Sequence, residues 1–197
     1  MGEHYFTSRP LAKEQSIQIR DTLRGVDIIL ISSSSVFSKD HIDDGTRLLA
    51  DSSKIRSGAK VLDLGCGYGA VGIAVAKKDP QAKVVLSDIN ERAANLAKQN
   101  ALQNDVQIDV RVCNLYERIP ESFDVILLNP PQTAGKKLCF DMIDQAKVHL
   151  AKGGLFYLVA RPGKGGKTLA ARMAQSVGPT EVVARARGFA LYVAQNP

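Results

Sequence analysis

A doubly wound α/β fold with a mostly parallel sheet is predicted by three observations. Short apolar runs of strand type alternate with amphipathic helical stretches from Lys60 onwards, an order that requires right-handed crossovers between parallel strands. Lys60–Lys78, KVLDLGCGYGAVGIAVAKK, reads as strand, glycine turn and helix. Gly65, Gly67 and Gly69 break its apolar run, and Val71, Ala74 and Val75 then follow helical spacing. Asp88 closes the next strand, where a carboxylate accepts hydrogen bonds from the two hydroxyls of a ribose. The free N–H groups of the glycine loop and the helix N-terminus are expected to face the same ligand.

The elements follow in chain order. Met1–Pro10 is polar apart from Tyr5 and Phe6 and is expected to form an irregular arm. Ser16–Ser32 alternates at Ile17 and Ile19, then at Val26, Ile28 and Leu30, with Gly25 between: a β-hairpin. The serine run Ser32–Ser35 leads into VFSKDHIDDGTRLLADSS, where a helix starts near Asp43 or Asp44 and turns Leu48 and Leu49 inward. After the glycine unit come a strand at Lys83–Ser87 and a helix at Asn90–Leu102, with Asn90 as its N-cap and Ala93, Leu96, Ala97 and Ala101 on one side. Strands are predicted over Gln107–Val112, ending at Cys113–Asn114, and over Phe123–Leu128, ending at Asn129-Pro130-Pro131. Leu138, Met142, Ala146 and Leu150 recur at steps of four, which predicts a helix over Lys137–Ala151 stopped by Gly153 and Gly154. A strand at Leu155–Ala160, a basic glycine loop at Gly163–Lys167 and a helix at Thr168–Val177 follow. Two last strands, Glu181–Ala186 and Phe189–Ala194, flank Arg187–Gly188. One domain over 1–197 is expected, with 1–55 as a hairpin and helix covering the site and 56–197 as the core.

Composition narrows the class. The chain has 197 residues, 45% hydrophobic and 23% charged, as in ordinary globular proteins. No apolar stretch approaches the ~18–20 residues of a membrane span, and no charged-then-apolar signal pattern opens the chain. A cytoplasmic protein with no membrane partner is expected. Cys66, Cys113 and Cys139 are scattered without CxxC spacing, so they read as reduced core thiols with no metal site. Residues 1–130 hold 16 Lys/Arg against 17 Asp/Glu, whereas 131–197 hold 10 against 3. A basic excess confined to the last third points to a polyanionic partner.

Two ligands compete for the glycine loop. Gly65–Ala70 satisfies a dinucleotide GxGxxA pattern, which admits NAD. Asp63, two residues before the first glycine, suits a ligand with an ammonium group near the loop, as S-adenosylmethionine has and NAD lacks. Asn129-Pro130-Pro131 ends a separate strand that faces the same crevice. An Asn129 side-chain oxygen and the Pro130 carbonyl are two acceptors for the N–H groups of one flat amine. Together they draw the nitrogen lone pair out of ring conjugation and aim it at a sulfonium methyl, so that catalysis is positioning and electrostatics without a strong base.

VLDLGCGYG, Asp88, the strand-end Asn114 and LLNPP resemble class I S-adenosylmethionine-dependent methyltransferases. SSVFSKDHIDDGTRLL resembles the VFS…D-x-G-[ST] segment of the "methyltransferase small domain" group, which contains bacterial small-subunit ribosomal RNA guanine-N2 methyltransferases and short archaeal single-domain forms. The resemblance implies a Rossmann-like sheet of seven strands with an N-terminal hairpin extension. It implies a cofactor site of Asp63, Gly65, Cys66, Gly67, Gly69, Asp88, Ile89, Asn114, Leu115 and Asn129. Asp63 lies near the ammonium, Asp88 at the ribose, Ile89 at the adenine and Asn114 at its amino group; relatives usually have Asp at this last position. Asn129, Pro130 and Pro131 are the implied catalytic residues, and Phe37 with Asp44–Thr46 folds over cofactor and target. Many relatives carry Tyr or Phe after NPP to stack on the target base; here Gln132 stands there, so stacking is expected from Phe37, Tyr5 or Phe6, or Gln132 hydrogen-bonds a base edge. Lys136, Lys137, Arg161, Lys164 and Lys167 follow two strand ends and are expected to ring the mouth and hold phosphates.

The expectation is an N-methyltransferase acting on an exocyclic amino group of RNA, with ribosomal guanine N2 first, then transfer RNA guanine, then adenine. The target base must be flipped or unpaired to enter. A monomer or homodimer is expected. A protein glutamine methyltransferase, a catalytically silent RNA-binding module and an NAD-dependent oxidoreductase remain as alternatives.

Overall fold

Glycine and proline placement divides the chain into the elements seen in a computed structural model, which describes residues 16–33, 41–131 and 135–197. The expectations for Met1–Pro10, Phe37 and Gln132 lie outside them. Strands β1 (Ser16–Leu23) and β2 (Val26–Ser33) form an antiparallel hairpin. Arg24 and Gly25 both take positive φ, 53° and 73°, as a two-residue hairpin turn with the right twist requires. Helix α1 (Asp44–Ser52) is capped by Asp43. Then come β3 (Lys60–Leu64), α2 (Ala70–Lys78), β4 (Lys83–Asp88), α3 (Glu91–Gln103), β5 (Asp109–Val112), β6 (Phe123–Leu128), α4 (Lys136–Ala146), β7 (Leu150–Ala160), α5 (Gly166–Ser176), β8 (Thr180–Ala186) and β9 (Phe189–Gln195).

Seven strands form one sheet in the order β5-β4-β3-β6-β7-β9-β8, parallel from β5 to β7 and antiparallel at β9 and β8. Each strand sends alternate residues to opposite faces. Val61, Val84, Leu86, Val125 and Leu127 join the hairpin and α1–α3 in one core; Leu62, Leu64, Val85, Ile126 and Leu128 join α4 and α5 in the other. Strand order reverses between β3 and β6, which opens a crevice at their carboxyl ends.

Helix α4 ends at Ala146, not Ala151, and β7 begins at Leu150. Gly153 and Gly154 therefore lie inside a strand. Gly153 has φ 76°, and a Cβ at Gly154 would meet Ala151 O at 2.8 Å and Phe123 O at 3.0 Å. The pair bends β7 past β6, where their register shifts. Strand β5 starts at Asp109, two residues later than its apolar pattern suggests.

The hairpin is held by amide side chains. The outer edge of β2 needs partners for Ile29 and Ile31, and α3 supplies them. Asn104 accepts from Ile29 N (3.0 Å) and donates to Ile29 O (2.7 Å); Asn100 accepts from Ile31 N (2.6 Å) and donates to Ile31 O (2.9 Å). Asn100 Nδ2 also donates to Tyr68 O in the glycine loop. Arg47 ties α1 back to the hairpin through Thr22 O and Asp21.

Candidate active site

The carboxyl ends of β3, β4, β5 and β6 enclose a cleft of about 590 Å³. Of the residues expected at the cofactor, Asp63, Gly65, Cys66, Gly67, Asp88, Ile89, Asn114, Leu115 and Asn129 line it; Pro130, Pro131, Arg161 and Lys164 do too. Gly69 does not. Its φ is 90°, and a Cβ there would press on Ile73, Leu86 and Ala97 within 3.1–3.2 Å, so it serves packing between loop, sheet and α3. Lys136 and Lys167 are exposed on α4 and α5, outside the cleft lining.

The glycine loop corrects one expectation. Its N–H groups do not all point at the cleft. Gly65 N and Cys66 N both donate to Ser87 O (2.8 and 3.0 Å), Gly67 N to Asp88 Oδ2 (2.9 Å) and Gly69 N to Cys66 O (2.9 Å). The loop folds over the end of β4, and its backbone donors take the acceptors there. Gly65 and Gly67, at φ 69° and 58°, supply the left-handed turns and a bare backbone wall.

Two buried carboxyls sit beside that wall. Asp63 Oδ2 accepts from Gly72 N at 3.0 Å. Burial pushes the Asp63 carboxyl up to about 7, and Asp88 adds to the rise while the Gly72 bond opposes it. Asp88 is also raised by burial, against bonds from Asn90, Gly67 and Ile89. Asp88 Oδ2 accepts from Gly67 N at 2.9 Å and Oδ1 from Asn90 N at 2.8 Å, and Ile89 is a third backbone donor to the carboxylate. Burial and the same carboxylates push the Cys66 thiol up, and burial raises Cys113 and Cys139; all three are free thiols. Asn114 Nδ2 donates to Glu117 Oε1 at 2.9 Å, which keeps Oδ1 as its acceptor. Leu115, at φ 48°, brings an apolar side chain to the cleft. Two buried carboxyls raised by their burial, backbone-fixed acceptors and apolar walls fit a ligand with a cation, a diol and a flat ring, as S-adenosylmethionine has.

The opposite wall includes residues that local pattern did not single out. Asn129 Nδ2 donates to Thr46 Oγ1 at 3.0 Å, and Thr46 donates to Asp43. Phe189 lines the cleft from the start of β9, with the Arg161 guanidinium 4.5 Å from its ring centroid. Gly45 makes room for it, because a Cβ there would lie 2.9 Å from Phe189 Cε1. Tyr68, Ser87, Cys113, Leu138 and Met142 also line the cleft. Asp43, Gly45 and Thr46 had a sequence signal in the D-x-G-T stretch, and Asn129 and Arg161 at strand ends; Phe189 had none. No described helix is long and apolar enough to cross a membrane. Among the described residues, no group of three or more His, Cys, Asp or Glu is arranged to hold a metal ion.

Comparison with known proteins shows the family of the chain. The family described as methyltransferase small domain matches residues 27–193. The uncharacterized protein YbxB of Bacillus subtilis is 31% identical over the full length of both chains. Ribosomal RNA small subunit methyltransferase C of Hamiltonella defensa is 38% identical over 138 residues, 68% of this chain and 41% of that protein. This chain thus spans about half the length of such relatives. Among solved structures, a T. thermophilus 16S rRNA N2 methyltransferase in complex with AdoMet and guanosine superimposes with a TM-score of 0.82 at 21% identity, covering 96% of this chain and 52% of that one. The chain belongs to the methyltransferase small domain family of S-adenosylmethionine-dependent methyltransferases.

Proposed function

We propose that this methyltransferase acts on the exocyclic amino group of a base in RNA, with guanine N2 of small-subunit ribosomal RNA as its substrate. The observation that carries this is that Asn129 and Pro130 line the same cleft as the glycine loop and Asp88. In this reading Asp63 faces the cofactor ammonium, Gly65–Gly67 the methionine chain, and Asp88 the ribose hydroxyls. Ile89 and Leu115 hold the adenine, with Asn114 Oδ1 accepting from its amino group. The cofactor supplies a methyl on a sulfonium, so the acceptor lone pair forms the new N–C bond as the S–C pair returns to sulfur, and the surplus proton leaves to water.

The chain's own work is on the acceptor. Asn129 Oδ1 and the Pro130 carbonyl accept the two N–H groups of the amine and turn its lone pair out of the ring. Phe189 and Arg161 supply the stacking surface that Gln132 does not, since unpaired bases stack on aromatic rings and guanidinium planes. Arg161 and Lys164, both exposed at the cleft, meet the phosphates, in keeping with the basic last third. The names of the ribosomal RNA methyltransferase C relatives support the RNA class. The test is to incubate the protein with labelled S-adenosylmethionine and unmethylated small-subunit ribosomal RNA, transfer RNA or cell protein, and identify the labelled product by mass spectrometry. N2-methylguanine in the ribosomal RNA is expected; label confined to transfer RNA, to adenine or to protein would replace this substrate.

A further inference from the structure

We infer that Thr46, held by Asp43, is a positioning residue that sets which end of the Asn129 side-chain amide faces the acceptor. Asn129 Nδ2 donates to Thr46 Oγ1 at 3.0 Å, across 83 positions of chain. Thr46 Oγ1 donates to Asp43 Oδ2. The other oxygen, Asp43 Oδ1, accepts from Gly45 N (2.9 Å) and Thr46 N (3.0 Å) as the N-cap of α1. Asp43, Thr46 and Asn129 all line the cleft.

Counting protons gives the direction. A hydroxyl has one hydrogen, and a carboxylate only accepts. Thr46 gives its hydrogen to Asp43 and has only lone pairs for Asn129. The amide must then present NH₂ to Thr46, because the reverse would set two acceptors against each other. Oδ1 is turned away from Thr46 and becomes an obligate acceptor. The consequence is selectivity. The site receives a group with N–H to give, an exocyclic amine, and rejects an acceptor without a hydrogen, such as a bare ring nitrogen. This deepens the proposed function and rests on its reading of Asn129.

Three variants separate the relay from bulk structure. Thr46→Val removes the oxygen at similar volume, and Thr46→Ser keeps it. Asp43→Asn keeps a capping oxygen but offers Thr46 an N–H, which sends the threonine hydrogen to Asn129 and favours the reversed amide. The probes are tritiated S-adenosylmethionine with transcribed, unmethylated small-subunit ribosomal RNA, and the Asn129 side-chain NH₂ signals of the cofactor-free protein by ¹⁵N NMR, assigned by their loss in Asn129→Ala. Thr46→Val and Asp43→Asn are expected to lose about 10–100-fold in turnover, to bind cofactor within about twofold of wild type by calorimetry, and to displace the NH₂ signals. Thr46→Ser should keep the signals and turn over within about threefold of wild type. The relay is overturned if the signals stay put in Thr46→Val, or if Thr46→Ser falls as far as Thr46→Val. It also falls if both damaging variants keep wild-type turnover while Asn129→Ala loses it. Wild-type protein that methylates no RNA, or Asn129→Ala at full rate, overturns the functional reading instead, and the NH₂ signals still decide the relay.

Discussion

The two walls of the cleft are built by different means. The wall proposed for the cofactor is backbone: Gly65, Cys66 and Gly67 fold onto Ser87 O and Asp88, and Gly72 N holds Asp63. The wall proposed for the acceptor is side chain on side chain: Asp43, Thr46 and Asn129 in a hydrogen-bonded row, and Arg161 over Phe189. A backbone wall is set by strand and turn geometry and tolerates many neighbours. A side-chain wall depends on single atoms from segments far apart. Damage to the first should therefore appear in cofactor affinity, and damage to the second in turnover or RNA affinity.

The largest effect is expected at the acceptor wall. Asn129→Ala should cut turnover at least ~100-fold, the scale of losing one transition-state hydrogen-bond partner, with cofactor affinity unchanged by calorimetry. Equal losses in both would blur the two walls. Asp88→Ala should do the converse, weakening cofactor binding about 10–100-fold, the scale of lost hydrogen bonds to a charged group, with turnover at saturating cofactor nearly intact.

Titration sharpens the cofactor wall. In the free protein the Asp63 carboxyl is held near 7 against an ordinary 3.8, and a bound ammonium would lower it. Cofactor affinity should therefore fall as pH drops below about 7, by up to roughly tenfold per pH unit. The stability contributed by Asp63 runs the other way. The folded free chain keeps a proton that the unfolded chain gives up, so its contribution declines as pH rises from 3.8 to about 7. Asp63→Asn should abolish both slopes; an unchanged affinity profile would remove Asp63 from the ammonium. Phe189→Leu should raise the KM for RNA about fivefold to tenfold through lost stacking, without moving cofactor affinity. The smallest functional effect is expected where neither wall is touched. Asn104→Ala leaves Ile29 N and O without their partner and should cost about 1–3 kcal/mol of stability in denaturant unfolding, with affinity and turnover near wild type.

How much of this was legible depended on whether a feature is local. Phe123–Leu128 was read at its observed bounds, and Asn90 caps α3 through Arg92 N and Ala93 N as its position suggested. The lining residues Asp63, Asp88, Asn114 and Asn129 were legible because each sits at or near a strand end on the crevice side. Asn100 on α3 and Asn104 at its C-cap were not, since asparagines there read as a solvated face and helix end; only the open edge of β2 makes them partners. Phe189 reads as the first apolar residue of a strand, and only the bare Gly45 and the end of β7 bring it to the cleft.

The sequence by itself determined the strand and helix order, the glycine turn and the residue types at the ends of β3, β4 and β6. Those follow from periods of two and 3.6 and from where glycine and proline stand. Only the tertiary structure decided that the loop donors close onto β4, that Gly153–Gly154 bends a strand, and that Thr46 meets Asn129. Each of these is a choice of hydrogen-bond partner or clearance between distant segments, and no local spacing encodes which groups the packed chain brings within 3 Å of one another.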